Sequence, residues 1–117
     1  MQTLTLTQPD DWHLHVRDET ALASVVPHTA RQFARAIIMP NLKTPVTTVA
    51  AALAYRERVL AAYPAASPFQ PLMTLYLTDN TSPEKLARAT ASEPVHDVKL
   101  YPSAATTSSY ARLTHIT

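Results

Sequence analysis

The 117 residues are 46% hydrophobic and 16% charged, with a formal net charge of +1, a composition that builds one folded domain and excludes a disordered chain. The near-neutral balance gives no reason to expect nucleic acid or an anionic membrane as partner. No apolar run approaches the roughly 18 residues of a membrane span, and the first ten residues lack a secretory pattern, so a cytoplasmic protein is expected.

Cysteine is absent, which excludes disulfides and thiolate metal sites. Glycine is absent too, where an average usage of about 7% predicts roughly eight. Tight turns must therefore use Asn, Asp, Ser or Pro, or carry strain at positive φ.

Gln2 to Thr7 alternates polar and apolar residues and reads as a strand, interrupted by Pro9, Asp10 and Asp11. Trp12 to Arg17 is a second extended piece. Strand alternation puts His13, His15 and Arg17 on one face, with Leu14 and Val16 on the other. Thr20 is placed to cap a helix to about Ala34, with Leu22, Val25, Val26, Ala30 and Phe33 as its apolar stripe and Pro27 kinking it or starting its second half. Ala36 to Met39 reads as a buried parallel strand, ended by Pro40 and Asn41.

Thr47 or Thr48 caps the clearest helix, which runs to about Tyr63 with Val49, Leu53, Val59 and Leu60 on one face. Pro71 to Leu77 is a third core strand. Ser82, Pro83 and Glu84 combine a cap, a first-turn proline and an acid at the positive end of the helix dipole, starting a helix that ends near Ala91. Val95 to Tyr101 is the fourth strand, and SAATTSS after Pro102 reads as a loop.

Alternating strands and helices with short connections imply a parallel sheet with right-handed crossovers. In such folds chemistry gathers at the carboxyl ends of the strands. All of these strands end in polar residues: HLHVRD, IIMPN, LYLTD and VKLYP. Two imidazoles on one strand face suit a shared divalent cation, although a buried hydrogen-bonded pair or plain surface residues give the same letters. Lys99 stands in an apolar strand and needs a partner. It can snorkel, pair with a carboxylate, or react with carbon dioxide to form a carbamate that ligates metal. His28, in a helix, and His96, at a strand start, read as structural or surface residues, and His115 has no assigned role.

The blocks DDWHLHVRD, RAIIMPN, PVTTVAAALAYRERVL, PLMTLYLTD and VKLYP, followed by ATTSS, stand in an order that resembles the dihydroorotases in their short single-function form. These are cyclic amidohydrolases of pyrimidine synthesis. The resemblance implies a TIM-type (β/α) barrel, which typically needs about 250 residues. Residues 1–117 are then the N-terminal half of such a metal-dependent hydrolase domain, a partial barrel of about four parallel strands and three helices.

It further implies that His13 and His15 are zinc ligands, and that a carbamylated Lys99 bridges two zinc ions. Arg17 and Asn41 hold the substrate carboxylate, and Thr106 and Thr107 belong to a loop that closes over substrate. The implied reaction interconverts N-carbamoyl-L-aspartate and L-dihydroorotate. In the hydrolytic direction a zinc-bound hydroxide attacks the ring amide carbonyl, and an aspartate from the last barrel strand shuttles the proton.

The family's later histidine ligands and that aspartate have no counterpart in this sequence. At most one zinc is therefore expected here, with little turnover by the isolated chain. Open sheet edges point to a homodimer or other self-association. A non-catalytic half-barrel scaffold is the alternative reading. The sequence also departs from the pattern at Glu19, where the family tends to have glycine after the aspartate.

Overall fold

The computed structural model describes residues 1–101. Strands and helices alternate in the order β1 (Asp11–Leu14), α1 (Thr20–Gln32), β2 (Arg35–Ile38), α2 (Val49–Leu60), β3 (Gln70–Leu77), α3 (Pro83–Ala91) and β4 (Val95–Leu100). All pairings are parallel, and the spatial order β1-β2-β3-β4 follows the chain. A doubly wound sheet reverses its strand order at a switch point. This sheet does not, so right-handed crossovers place every helix on the same face. The result is a segment of an α/β barrel wall, as expected.

One-sided burial follows from that winding. Leu22 and Val26 of α1, Ala52, Tyr55 and Val59 of α2 and Ala89 of α3 close against Ala36, Ile38, Met73, Leu75 and Val95 of the sheet. Strand β3 is central and buried almost end to end. Its other face carries Thr74 and Tyr76, which alternate with Met73 and Leu75 and so point into the concave side.

Several local expectations are corrected. Residues 1–10 form no strand, and Leu4 and Leu6 are exposed. Alternation alone does not make a strand. The ladder with β2 begins only at Asp11, and what precedes it is tethered by an Ala34 N–H to Pro9 carbonyl bond of 2.9 Å. A second tether is the Arg35–Asp10 ion pair, whose closest contact is 2.5 Å. Strand β1 ends at Leu14, three residues early, after the Met39 N–H donates to the Leu14 carbonyl at 2.8 Å. The alternation of faces nevertheless persists to residue 17: Val16 is buried, whereas His13, His15 and Arg17 are exposed.

Helix α1 has Glu19, not Thr20, at its cap position, with no side-chain cap bond. Pro27 lies within one helix. The carbonyl its missing N–H leaves unbonded belongs to Ala23, which is exposed to water. Helix α2 is capped by Thr48, whose Oγ1 accepts from the Ala51 N–H at 3.1 Å. Its inward row is Ala52, Tyr55 and Val59, and Leu53 is exposed. A small residue at 52 lets the helix approach the sheet, and that rotates Leu53 outward. Helix α3 starts as read, with Ser82 Oγ accepting from the Lys85 N–H at 3.3 Å.

The glycine-free composition leaves its mark at one turn. Arg17 has φ 60° and Glu19 φ 54°, and Glu19 combines this with ψ −126°. That region suits glycine and costs a side-chain-bearing residue about 1–3 kcal/mol. The extra unfolded-state freedom of glycine offsets less than about 1 kcal/mol of this. Glu19→Gly is therefore expected to stabilise the chain by about 1 kcal/mol, read as a raised midpoint in thermal or urea unfolding. A lowered midpoint would contradict the strained turn.

Candidate functional site

The carboxyl ends of β1, β2 and β4 bring together the residues singled out from sequence. After β1, His13 and His15 project on the side opposite Leu14 and Val16, and their Nε2 atoms stand 3.1 Å apart with ring centroids 5.1 Å apart. The His13 backbone N–H donates to Asp11 Oδ1 at 3.0 Å, which steadies the strand below the pair.

The turn that follows is held from outside. The Tyr55 hydroxyl donates to the Arg17 carbonyl. Arg58 Nε and a terminal guanidinium nitrogen donate to Asp18 Oδ1 and Oδ2, each at 2.8 Å. The Glu19 N–H also reaches Asp18 Oδ1, at 2.8 Å.

From the end of β2, buried Asn41 accepts a hydrogen bond from the Tyr101 hydroxyl through Oδ1 at 2.9 Å. Its side chain also hydrogen-bonds His15. Tyr101 is stacked on Tyr76 at 4.8 Å between centroids. Lys99 pairs in register with Tyr76. Among the described residues it makes no ion pair, and its Nζ lies 6.0 Å from the centre of the Tyr101 ring.

Between the first two strand-end loops lies a cavity of about 450 Å³. Arg17, Asp18 and Glu19 form one wall, and Asn41, Leu42, Lys43 and Thr44 the other. A larger opening of about 720 Å³, around His96 and Asp97, sits at the amino end of β4. It is remote from the imidazoles and at the wrong end of the strands for barrel chemistry.

Electrostatics favour a neutral His15. Burial, then the neighbouring His13 and Arg17, hold its imidazole below the ordinary 6.5; the Asn41 hydrogen bond pulls the other way, and Lys99 adds to the lowering. A neutral imidazole offers a lone pair to a metal. Two nitrogens bound to one tetrahedral zinc at about 2.0–2.1 Å each would lie roughly 3.4 Å apart. The observed 3.1 Å is near that spacing and is equally the length of an N–H···N hydrogen bond between the two rings, so a cation would replace the proton they share.

Among the described residues no three His, Cys, Asp or Glu side chains gather into a metal-binding group. Two imidazoles alone are too few donors for a closed metal site. The remaining candidate in the same mouth is Lys99, which as an ammonium has only donors and ligates nothing.

His13, His15, Arg17, Asn41 and Lys99 therefore occupy one end of the sheet. Thr106, Thr107 and His115 lie outside the described residues. His28 is exposed on α1 beside Arg31, and His96 is exposed on β4. Sequence reading missed Tyr55, Arg58, Lys43 and Tyr101 as neighbours of the site. A usable signal existed for Tyr55 and Arg58, since a polar-tipped residue and a guanidinium at i, i+3 share one helix flank. Nothing local marked where they would reach.

Comparison with known proteins gives this site a context. Residues 9–117 match the amidohydrolase family, and the chain belongs to that family. Within it the similarity is to dihydroorotases. The chain is 70% identical over 115 residues to the dihydroorotase of Cupriavidus taiwanensis, covering 98% of this chain and 33% of that protein. It is 66% identical over 116 residues to that of Alkalilimnicola ehrlichii, covering 99% of this chain and 34% of the other. The chain thus spans about a third of the length of the curated relatives it matches.

Among solved structures, the dihydroorotase of Campylobacter jejuni superposes with a TM-score of 0.84 at 37% identity, over 92% of this chain and 31% of that one. The dihydroorotase of Saccharomyces cerevisiae, solved with 5-fluoroorotic acid, gives a TM-score of 0.80 at 31% identity, over 90% and 28% of the two chains. The family implies a metal cofactor. The resemblance read from the motif blocks holds.

Asp18 offers a test of the turn. Burial pushes its carboxyl upward, but the Arg58 hydrogen bonds and the Glu19 amide outweigh this and hold it below the ordinary 3.8. A depressed carboxylate contributes stability above its unfolded-state value and loses it as pH falls through the folded value. The Arg58 side chain is 45% exposed, so screening limits the contribution to about 1 kcal/mol at most. Asp18→Asn is expected to lower the urea midpoint at pH 7, and the gap from the unchanged chain should close as pH falls below 3.8. A gap that persists in acid would show that the ion pair is not its source.

Proposed function

We propose that this chain forms part of a dihydroorotase centre, acting in the reversible conversion of N-carbamoyl-L-aspartate to L-dihydroorotate. The observation that carries this reading is the pairing of the His13 and His15 nitrogens, 3.1 Å apart, beside the cavity walled by Arg17 and Asn41. Both substrates are small carboxylates. A guanidinium fork and an amide from opposite walls suit one end of such a molecule. The carboxylic acid found with the yeast relative supports the same class of ligand.

His13 and His15 would hold the metal, with zinc favoured by nitrogen donors at a strand end. Bound zinc supplies Lewis acidity and lowers the pKa of water. Lys99 would join as a ligand if its ammonium lost a proton and the amine added carbon dioxide, releasing a second proton and leaving a carbamate, which replaces a cation with a carboxylate. Asn41 keeps His15 oriented through its hydrogen bond, while the buried Tyr101 holds Asn41. Thr106 and Thr107 are assigned to substrate closure from the resemblance alone. Among the described residues the outer ladder edges of β1 and β4 have no partner strand, which supports self-association.

Zinc content and small-anion binding separate the roles. The 117-residue chain is expected to bind zinc, and His13→Ala or His15→Ala to weaken it by at least about 10- to 100-fold. Arg17→Ala should leave zinc bound and weaken L-dihydroorotate by about 10- to 100-fold, the scale of a charge-assisted hydrogen bond. Zinc held equally well without both histidines would overturn the reading. The chain by itself is expected to turn over little substrate, and family-like rates in a zinc-supplemented assay would overturn that expectation.

A further inference from the structure

We propose that Tyr55 and Arg58 of α2 are positioning residues for the carboxylate clamp, acting on Arg17 through its backbone. The proposal rests on the reading of Arg17 as a group that holds substrate carboxylate. Neither residue lines the cavity. Both belong to a helix on the far side of the sheet, so any effect on ligand must pass through the turn they hold.

The turn needs holding. Arg17 and Glu19, two residues apart, both have positive φ without being glycine. Conformations of this kind persist only where surrounding contacts over-determine them. Here those contacts come from one flank of α2. The Tyr55 hydroxyl donates to the carbonyl of Arg17, the strained residue itself. Arg58 grips the adjacent Asp18 with two hydrogen bonds of 2.8 Å. The Arg58 guanidinium lies 5.3 Å from the centre of the Tyr55 ring, which makes the two side chains one unit.

Tyr55 is 1% exposed. Burial first, then the Asp18 charge, hold its phenol far above the ordinary tyrosine range, so its hydroxyl remains a donor at any working pH. With the carbonyl of Arg17 and the carboxylate of Asp18 both fixed, the Arg17 side chain is delivered to the cavity wall facing Asn41.

The test uses the full 117-residue chain, with 5-fluoroorotate as probe followed by fluorine NMR titration without metal, and zinc affinity measured separately. Tyr55→Phe keeps the ring and removes the donor. It is expected to weaken 5-fluoroorotate by about 5- to 10-fold, the scale of one hydrogen bond, and to leave zinc affinity unchanged. Arg58→Gln, at a partly exposed position outside the core, should weaken the probe in the same direction and likewise leave zinc affinity unchanged.

Probe affinity unchanged in both single variants would overturn the proposal. So would parallel loss of probe and zinc, the outcome that a general packing defect produces. Should the unaltered chain fail to bind the probe, or Arg17→Ala bind it equally well, the reading of the cavity itself falls and this proposal falls with it.

Discussion

Burial on one side of the sheet governs the rest of this protein. Four parallel strands laid side by side in chain order oblige every crossover helix onto the same face. Tyr55, Val59, Ile38 and Leu75, none more than 1% exposed, each supply about 1.5–3 kcal/mol by leaving water. The ion pairs Arg35–Asp10 and Arg58–Asp18 lie open to solvent screening and supply less. Packing therefore sets the architecture, and the ion pairs refine where chain segments sit. The concave face, relieved of the task of sealing against helices, is free to carry imidazoles, an amide, a lysine and phenols.

This division of labour explains the arrangement of the polar groups. Arg35 reaches back to Asp10 and lies over Trp12 at 5.2 Å, pinning the entry to β1. Arg58 and Tyr55 pin its exit. Between these two fastenings stand His13 and His15, on four residues of strand and a short extension. The opposite wall is fastened by a buried hydrogen bond from Tyr101 to Asn41, and Asn41 in turn meets the exposed His15. A metal or carboxylate site needs donors held within a fraction of an ångström, and second contacts of this type provide that. The strain at Arg17 and Glu19 is the local cost of a turn made without glycine.

Much of this was legible in the residues. The order of elements followed from hydrophobic period and from punctuation by proline and hydroxyl caps. Thr48 and Ser82 cap helices as read, because a cap is a contact between residues three apart and needs nothing distant. The pairing of His13 with His15 was legible for the same reason, since strand alternation is local. The family was legible because its motifs are short, contiguous and ordered. Where reading failed, a distant partner decided. Gln2 to Thr7 has the letters of a strand but no ladder to join. Leu53 has the character of a core residue but is turned outward once Ala52 sits against the sheet. Thr20 has a capping hydroxyl, yet the preceding turn, bent by its tethers to α2, shifts the cap position to Glu19.

The sequence by itself determined the alternating parallel fold, the amidohydrolase character of its strand ends and the identity of the imidazole pair, since each depends on spacing within a few residues. Only the tertiary structure decided that Tyr55 and Arg58 grip the turn bearing Arg17, that Tyr101 holds Asn41, and that Lys43 joins the cavity wall. Those contacts join residues up to 60 apart in the chain, and the packing of helices onto one face of the sheet is what brings them within a hydrogen bond of each other.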